Sequence, residues 1–93
     1  MDDHTFKVEP AGELERLVFA PVFNVADYFV DRHPREGRGG KVAIRTDEGM
    51  EVTYAELTQR VNRCGRALLD LGVSPGDRVL MMIKDAPEFF YVF

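Results

Sequence analysis

The 93-residue sequence has one cysteine, two histidines and no tryptophan. A single cysteine cannot form an internal disulfide, which is typical of a chain in a reducing compartment, and we therefore expect a cytoplasmic protein. No apolar run approaches the roughly 18 residues that a membrane-spanning helix requires. The N-terminus, Met-Asp-Asp-His, is acidic where a secretory signal is basic. These features predict neither a membrane partner nor export.

The sequence also lacks a basic excess. Lys and Arg number 12 against 16 Asp and Glu, for a formal charge of −4, whereas nucleic-acid-binding domains are usually basic. Glu56 and Asp70 lie among the basic residues of one segment, which further argues against a nucleic-acid surface. We interpret the following residues as a solvated face, with no nucleic-acid partner: Arg32, Arg35, Arg38, Lys41, Arg60, Arg63 and Arg66.

The strongest pattern in the sequence is a helix between Val52 and Val73. Thr53 and Glu56 have the spacing of a capping box, and Gly72 followed by Pro75 is typical of a helix end. One apolar stripe follows at helical spacing, formed by Leu57, Val61, Cys64, Leu68 and Leu71. Gly65 lies beside this stripe, and we expect it to allow a close approach to a sheet, with Leu68 at the centre of the buried face.

Shorter elements are predicted before this helix. We expect residues 1–22 to form an extended or irregular leader that docks through Leu17, Val18 and Phe19. A helix capped by Asn24 should end near His33, because the residue before a proline tends to leave the helix. The loop Pro34–Lys41 should then connect to a hairpin.

The predicted hairpin has strands Val42–Arg45 and Met50–Val52, joined by the turn Thr46–Gly49. Alternation along the first strand should place Ala43 and Arg45 on one side and Val42 and Ile44 on the other.

A strand and a helix are predicted after the central helix. The turn Ser74–Asp77 precedes a predicted strand, Arg78–Ile83. Within it Val79–Ile83 is a continuous apolar run, which is typical of a strand buried on both faces. Strand, helix and buried strand would form a right-handed β-α-β unit. Pro87 begins a last helix, and the apolar ending Pro87–Phe93 suggests that the chain is a fragment truncated within it.

A glycine-rich stretch, Gly37–Lys41, is the first candidate site. A P-loop requires glycine where Arg35 stands and Ser or Thr where Val42 stands, and it joins a strand to a helix rather than a helix to a strand. We therefore favour a flexible connector over a phosphate site.

The remaining candidates also have structural interpretations. Neither His4 nor His33 has a Cys or His at metal-ligand spacing, and a zinc site needs about four ligands. Cys64 shares the apolar stripe and is interpreted as a small core residue. Asp85 and Glu88 lie at a turn and a first helical turn, where acidic residues suit the helix dipole. The sequence predicts no catalytic, cofactor-binding or metal-binding residue.

The run VTYAEL followed by VNRCGRALLDLGVSPGDRV resembles the opening of adenylate-forming enzymes, the acyl- and aryl-CoA synthetases. With FNVADYFVDRHPREGRGGKVAIR before it, the segment most resembles benzoate-CoA ligases. The resemblance covers residues 23–93, which we expect to begin the large α/β adenylate-forming domain.

The resemblance implies that the parent enzyme uses ATP, Mg²⁺ and coenzyme A to convert an aromatic carboxylate first to an acyl-adenylate and then to a thioester. The family's phosphate loop, adenylate-binding residues and catalytic lysine come later than the matched segment. This segment would thus bind no cofactor and would partner the rest of its domain. A carrier-protein-loading adenylation domain, a fatty acyl ligase and a free-standing β-α-β interaction module remain alternatives.

Overall fold

The computed structural model describes all residues from Met1 to Phe93. Two separate antiparallel hairpins accompany the helical segments: β1 (Phe6–Ala11) with β2 (Leu14–Phe19), and β3 (Val42–Arg45) with β4 (Glu51–Thr53). A π-helical turn, Asp27–Asp31, continues into α1 (Arg32–Arg35), and the two together are called the first helix. The central helix is α2 (Tyr54–Asp70), and the last is α3 (Pro87–Val92). The predicted α/β class is confirmed.

The N-terminal hairpin corrects the expectation of an irregular leader. Phe6 lies opposite Phe19, and Ala11 lies opposite Leu14. The two-residue loop begins with Gly12 at a φ of 69°, which is the position where a type II′ turn takes glycine. Pro10 is tolerated because a two-stranded sheet consists only of edge strands. Phe19 does dock on the body, since its ring lies 4.7 Å from that of Phe23.

The first helix has the predicted cap at Asn24 but extends past the predicted end at His33. The Asn24 Oδ1 atom accepts hydrogen bonds from the N–H groups of Ala26 at 2.8 Å and Asp27 at 3.3 Å. The helix passes through Pro34 and ends at Arg35 rather than at His33. A π-helical turn lies just before the proline, and its wider backbone accommodates a residue that cannot donate a helical hydrogen bond.

The second hairpin confirms β3 and shifts β4 by one residue from its predicted bounds. Gly49 has a φ of 86°, and its N–H donates to the Thr46 carbonyl at 3.0 Å. The predicted alternation of side chains is wrong, because the strand register shifts between Val42 and Ile44. As a result both Ala43 and Ile44 pack against the core.

Local signals define both ends of α2. The Glu56 N–H donates to Thr53 Oγ1 at 3.2 Å, and the Thr53 hydroxyl donates to Glu56 Oε1 at 3.1 Å. At the other end Gly72 has a φ of 92°, and the N–H groups of Gly72 and Val73 donate to Leu69 and Leu68 as in a Schellman motif. None of the helices is long and apolar enough to cross a membrane.

The core lies at the N-terminal half of α2, not along the whole predicted stripe. Its buried members are Val52, Leu57 and Tyr91, with exposed fractions of 4%, 5% and 9%. Leu68 is only partly covered, and Leu71 is 81% exposed. The expected approach to Gly65 is also wrong, because a Cβ added there would meet no atom within 4 Å.

The predicted buried strand Arg78–Ile83 does not form. Residues 78–84 have no regular structure, their backbone makes no hydrogen bond to other backbone groups, and Leu80 is 85% exposed. A strand requires a neighbouring strand, and neither hairpin pairs with this segment. The β-α-β unit is therefore absent here. The predicted turn Ser74–Asp77 does form, closed by a 3.0 Å hydrogen bond from the Asp77 N–H to the Ser74 carbonyl.

Candidate functional site

The glycine-rich loop packs on the N-terminus of α2. The Tyr54 N–H donates to the Lys41 carbonyl at 2.9 Å, and the Ala55 N–H donates to the Gly39 carbonyl at 2.9 Å. A Cβ on Gly39 would lie 3.5 Å from the Ala55 Cβ. The segment is thus a cap with defined contacts rather than a flexible connector.

This cap determines what the helix N-terminus can bind. An anion at a helix N-terminus requires free backbone N–H groups. Here the loop carbonyls and the Thr53 hydroxyl already occupy the N–H groups of Tyr54, Ala55 and Glu56. The loop directs carbonyl oxygens towards the helix, the opposite polarity to a phosphate-binding loop.

His33 lies between the first helix, this loop and α2. Its ring packs against the Tyr54 ring, with centroids 4.0 Å apart and the ring planes inclined by 32°. Its Nδ1 atom accepts a 3.0 Å hydrogen bond from Arg38 Nε. Burial lowers the pKa of His33, and the charges of Arg38 and Arg32 lower it further. These surroundings favour the neutral form of the ring.

The other histidine and the cysteine have structural contacts. His4 Nδ1 accepts from the Asn24 N–H at 2.9 Å and so joins the N-terminal hairpin to the start of the first helix. Cys64 is half-buried and packs against the core, as predicted. Sequence reasoning missed the contacts of both histidines, because partners such as Asn24 for His4 and Tyr54 for His33 come from other elements of the fold.

Charged side chains on the predicted basic face mostly have acidic or aromatic partners. Arg35 forms a bidentate pair with Asp27 at 2.9 and 3.2 Å. Arg38 lies 3.1 Å from a Glu36 oxygen, and the Arg60 guanidinium lies 5.8 Å from the Tyr91 ring centroid. These contacts agree with a solvated face.

A candidate metal centre would require converging ligands. Asp85 lies in the bend before α3, and Glu88 lies in its first turn, as the sequence predicts. No three His, Cys, Asp or Glu side chains form a group that could hold a metal ion.

An apolar cleft of about 380 Å³ lies between the first helix, β3, α2 and α3. Hydrophobic residues alone line it: Val25, Ala26, Phe29, Val30, Ala43, Ile44, Tyr54, Leu57, Val61, Phe90 and Phe93. Ligand sites combine apolar walls with a few polar groups that orient the ligand. The side chains in this lining include no carboxylate, amine or imidazole.

The residues present do not fit ATP, Mg²⁺ or coenzyme A. The N–H groups at the start of α2 are occupied by the chain's own oxygens, the acidic residues do not converge, and the cleft is lined by hydrophobic residues. No chemical step can be built from these side chains. That the segment holds no catalytic or cofactor-binding residue remains a prediction.

Comparison with known proteins places the chain in a family. The family described as AMP-binding enzyme matches residues 30–93. Benzoate–CoA ligase of Thauera aromatica is 47% identical over 68 residues, 72% of this chain and 13% of that protein. The 4-hydroxybenzoate–CoA/benzoate–CoA ligase of Rhodopseudomonas palustris is 41% identical over 76% of this chain and 13% of its own length.

Acetyl-coenzyme A synthetase of Streptomyces avermitilis is 42% identical over 70% of this chain and 11% of its own length. The chain thus spans only about an eighth of these relatives. No solved structure matches. Since the family match covers well over half of the residues, the chain belongs to the family of AMP-binding enzymes.

Proposed function

We propose that this chain is the N-terminal scaffold of an ATP-dependent acid–thiol ligase. The parent enzyme joins a carboxylate to AMP with loss of pyrophosphate, and coenzyme A then displaces AMP to give the thioester. The observation that carries this proposal is the family match over residues 30–93. The names of the relatives support it, because each describes a coenzyme A ligase or synthetase.

The scaffold role has support in the structure. The Thr53 capping box and the loop carbonyls fix the start of α2 against β4, while Leu57 joins Val52 and Tyr91 in the core. The apolar cleft and the exposed run Val79–Ile83 offer surfaces for further polypeptide to cover. The partner that we propose is the rest of the parent adenylate-forming domain, in the cytoplasm.

An aromatic acid, benzoate first, is the substrate that we propose for the parent. The support is the 47% identity to a benzoate–CoA ligase and the 41% identity to a second ligase for benzoate and 4-hydroxybenzoate. Acetate is the second candidate, because an acetyl-coenzyme A synthetase is 42% identical.

The test is to read the gene beyond Phe93 and to assay its full product with ATP, Mg²⁺ and either benzoate, 4-hydroxybenzoate or acetate. We expect pyrophosphate exchange that depends on an aromatic acid, and AMP release on addition of coenzyme A. The 93-residue chain, assayed in parallel, should do neither. Exchange with acetate alone would overturn the aromatic substrate.

A stop codon directly after Phe93 would remove the ligase proposal and favour the free-standing interaction module. Transfer to a carrier protein instead of coenzyme A would favour the carrier-loading adenylation domain.

A further inference from the structure

The loop of residues 36–41 is attached to the body at two places. At its far end the carbonyls of Gly39 and Lys41 accept hydrogen bonds from the first N–H groups of α2. At its near end Arg38 makes two bonds to His33: its N–H donates to the His33 carbonyl at 2.7 Å, and its Nε donates to His33 Nδ1 at 3.0 Å. Of these hydrogen bonds, only the one from Arg38 Nε to His33 Nδ1 depends on the protonation of a side chain. An imidazole nitrogen accepts a hydrogen bond only when it carries no proton.

The charges around His33 oppose a proton on its ring. Its own helix contributes Arg32, the loop contributes Glu36, Arg38 and Lys41, and α2 contributes the Tyr54 ring packed against it. Three cations thus face it against one carboxylate. Glu36 is itself paired with Arg38 at 3.1 Å and lies 3.7 Å from Arg32. An imidazolium here would lose its hydrogen bond and add a fourth positive charge.

We propose that His33 is an acid-sensitive latch, whose neutral ring holds Arg38 and keeps the loop 36–41 on the N-terminus of α2. Protonation of Nδ1 removes the acceptor, Arg38 moves away from the imidazolium, and the loop loosens. The N–H groups of Tyr54 and Ala55 then lose the carbonyls that cap them. The lowered pKa of His33 agrees with this direction. The latch is a property of this chain and does not depend on ligase activity.

The test is amide hydrogen exchange by NMR on the 93-residue chain at pH 7.5 and pH 5, with each rate divided by the intrinsic rate at that pH. We expect the protection of Tyr54 and Ala55 to fall about three- to tenfold at pH 5, as for loss of one hydrogen bond. Val61, in the middle of α2, should lose less protection than these two amides, because the loop does not cap it. His33→Gln should abolish the pH effect, because an amide oxygen can accept from Arg38 but does not titrate in this range. His4→Gln, which removes the other histidine, should retain it.

Equal protection at both pH values in the wild-type chain would overturn the latch. So would an effect that persists in His33→Gln, or a loss that extends uniformly to Val61. A second measurement covers the case in which His33→Gln does not fold: the Arg38 Nε–H resonance of the wild-type chain should titrate together with the His33 ring. An Arg38 resonance that ignores the His33 titration would equally refute the proposal.

Discussion

Leu57 is the residue whose truncation tests the packing of this chain most directly. It is 5% exposed and joins Val52 and Tyr91 in the buried cluster, with Val30 and Val61 packed beside them. Truncating a buried leucine to alanine costs about 2–5 kcal/mol, from lost transfer energy and the cavity that remains. A core this small seldom supplies more than about 3–5 kcal/mol in total. We therefore expect Leu57→Ala to remove most of the cooperative unfolding transition, measured by urea denaturation with far-ultraviolet circular dichroism.

Two leucines of the same helix segment provide matched controls. Leu71→Ala removes the same atoms from a side chain that is 81% exposed and should change the free energy of unfolding by less than about 0.5 kcal/mol. Leu68→Ala should have an intermediate effect, because Leu68 is only partly covered. A Leu68 or Leu71 substitution as damaging as Leu57→Ala would refute the placement of the core at the N-terminal half of α2.

Three further predictions concern the same 93-residue chain and the same urea assay. Gly65→Ala should stabilise it by about 0.5–1 kcal/mol, since alanine favours the helix interior and the added Cβ meets no atom within 4 Å. Destabilisation would mean that a neighbouring segment does approach Gly65 closely, as the sequence suggested. Thr53→Ala should cost about 1 kcal/mol through loss of the cap, whereas Thr53→Ser keeps the hydroxyl and should cost much less; equal losses would contradict the capping role. The free energy of unfolding should fall as the pH drops below about 6.5, the ordinary pKa of histidine. The reason is that the pKa of His33 is lowered in the folded chain, so the unfolded chain binds the proton more tightly. A loss of the same size in His33→Gln would assign the effect to other groups.

Local chemistry explains which parts of the fold the sequence could predict. The ends of α2 depend on Thr53 and Gly72, whose hydrogen bonds join residues within one turn of the helix. The turn of the second hairpin similarly depends on Gly49 and Thr46. Such signals are visible in the sequence because donor and acceptor are only a few positions apart.

The sequence contains a pattern that is typical of the N-terminal hairpin. Apolar residues alternate at Phe6 and Val8, and again at Leu17 and Phe19, on either side of a two-residue loop that begins with Gly12. Pro10 and Pro21, in contrast, are more typical of irregular structure. In a two-stranded sheet a proline at an edge is no obstacle, so the alternation was the better guide.

The latch at His33 could not be predicted, because its three members come from separate parts of the chain. Arg38 approaches from the loop, Tyr54 from α2, and the imidazole from the first helix. The sequence identified the loop only by its glycines, which predicted mobility. The carbonyls of Gly39 and Lys41 instead accept hydrogen bonds from the first N–H groups of α2, so the loop has a defined place on the helix.

The exposed run Val79–Ile83 has the sequence pattern of a buried strand, but no strand forms there. Its unbroken apolar character predicts burial on both faces, but burial and strand pairing both depend on neighbours that a local pattern cannot supply. Leu71 and Gly65 are likewise uncovered on α2. The predicted strand and the C-terminal part of the apolar stripe therefore both lack cover. Further polypeptide packed on these residues would satisfy both patterns, which is what the proposed scaffold role in a larger adenylate-forming domain requires.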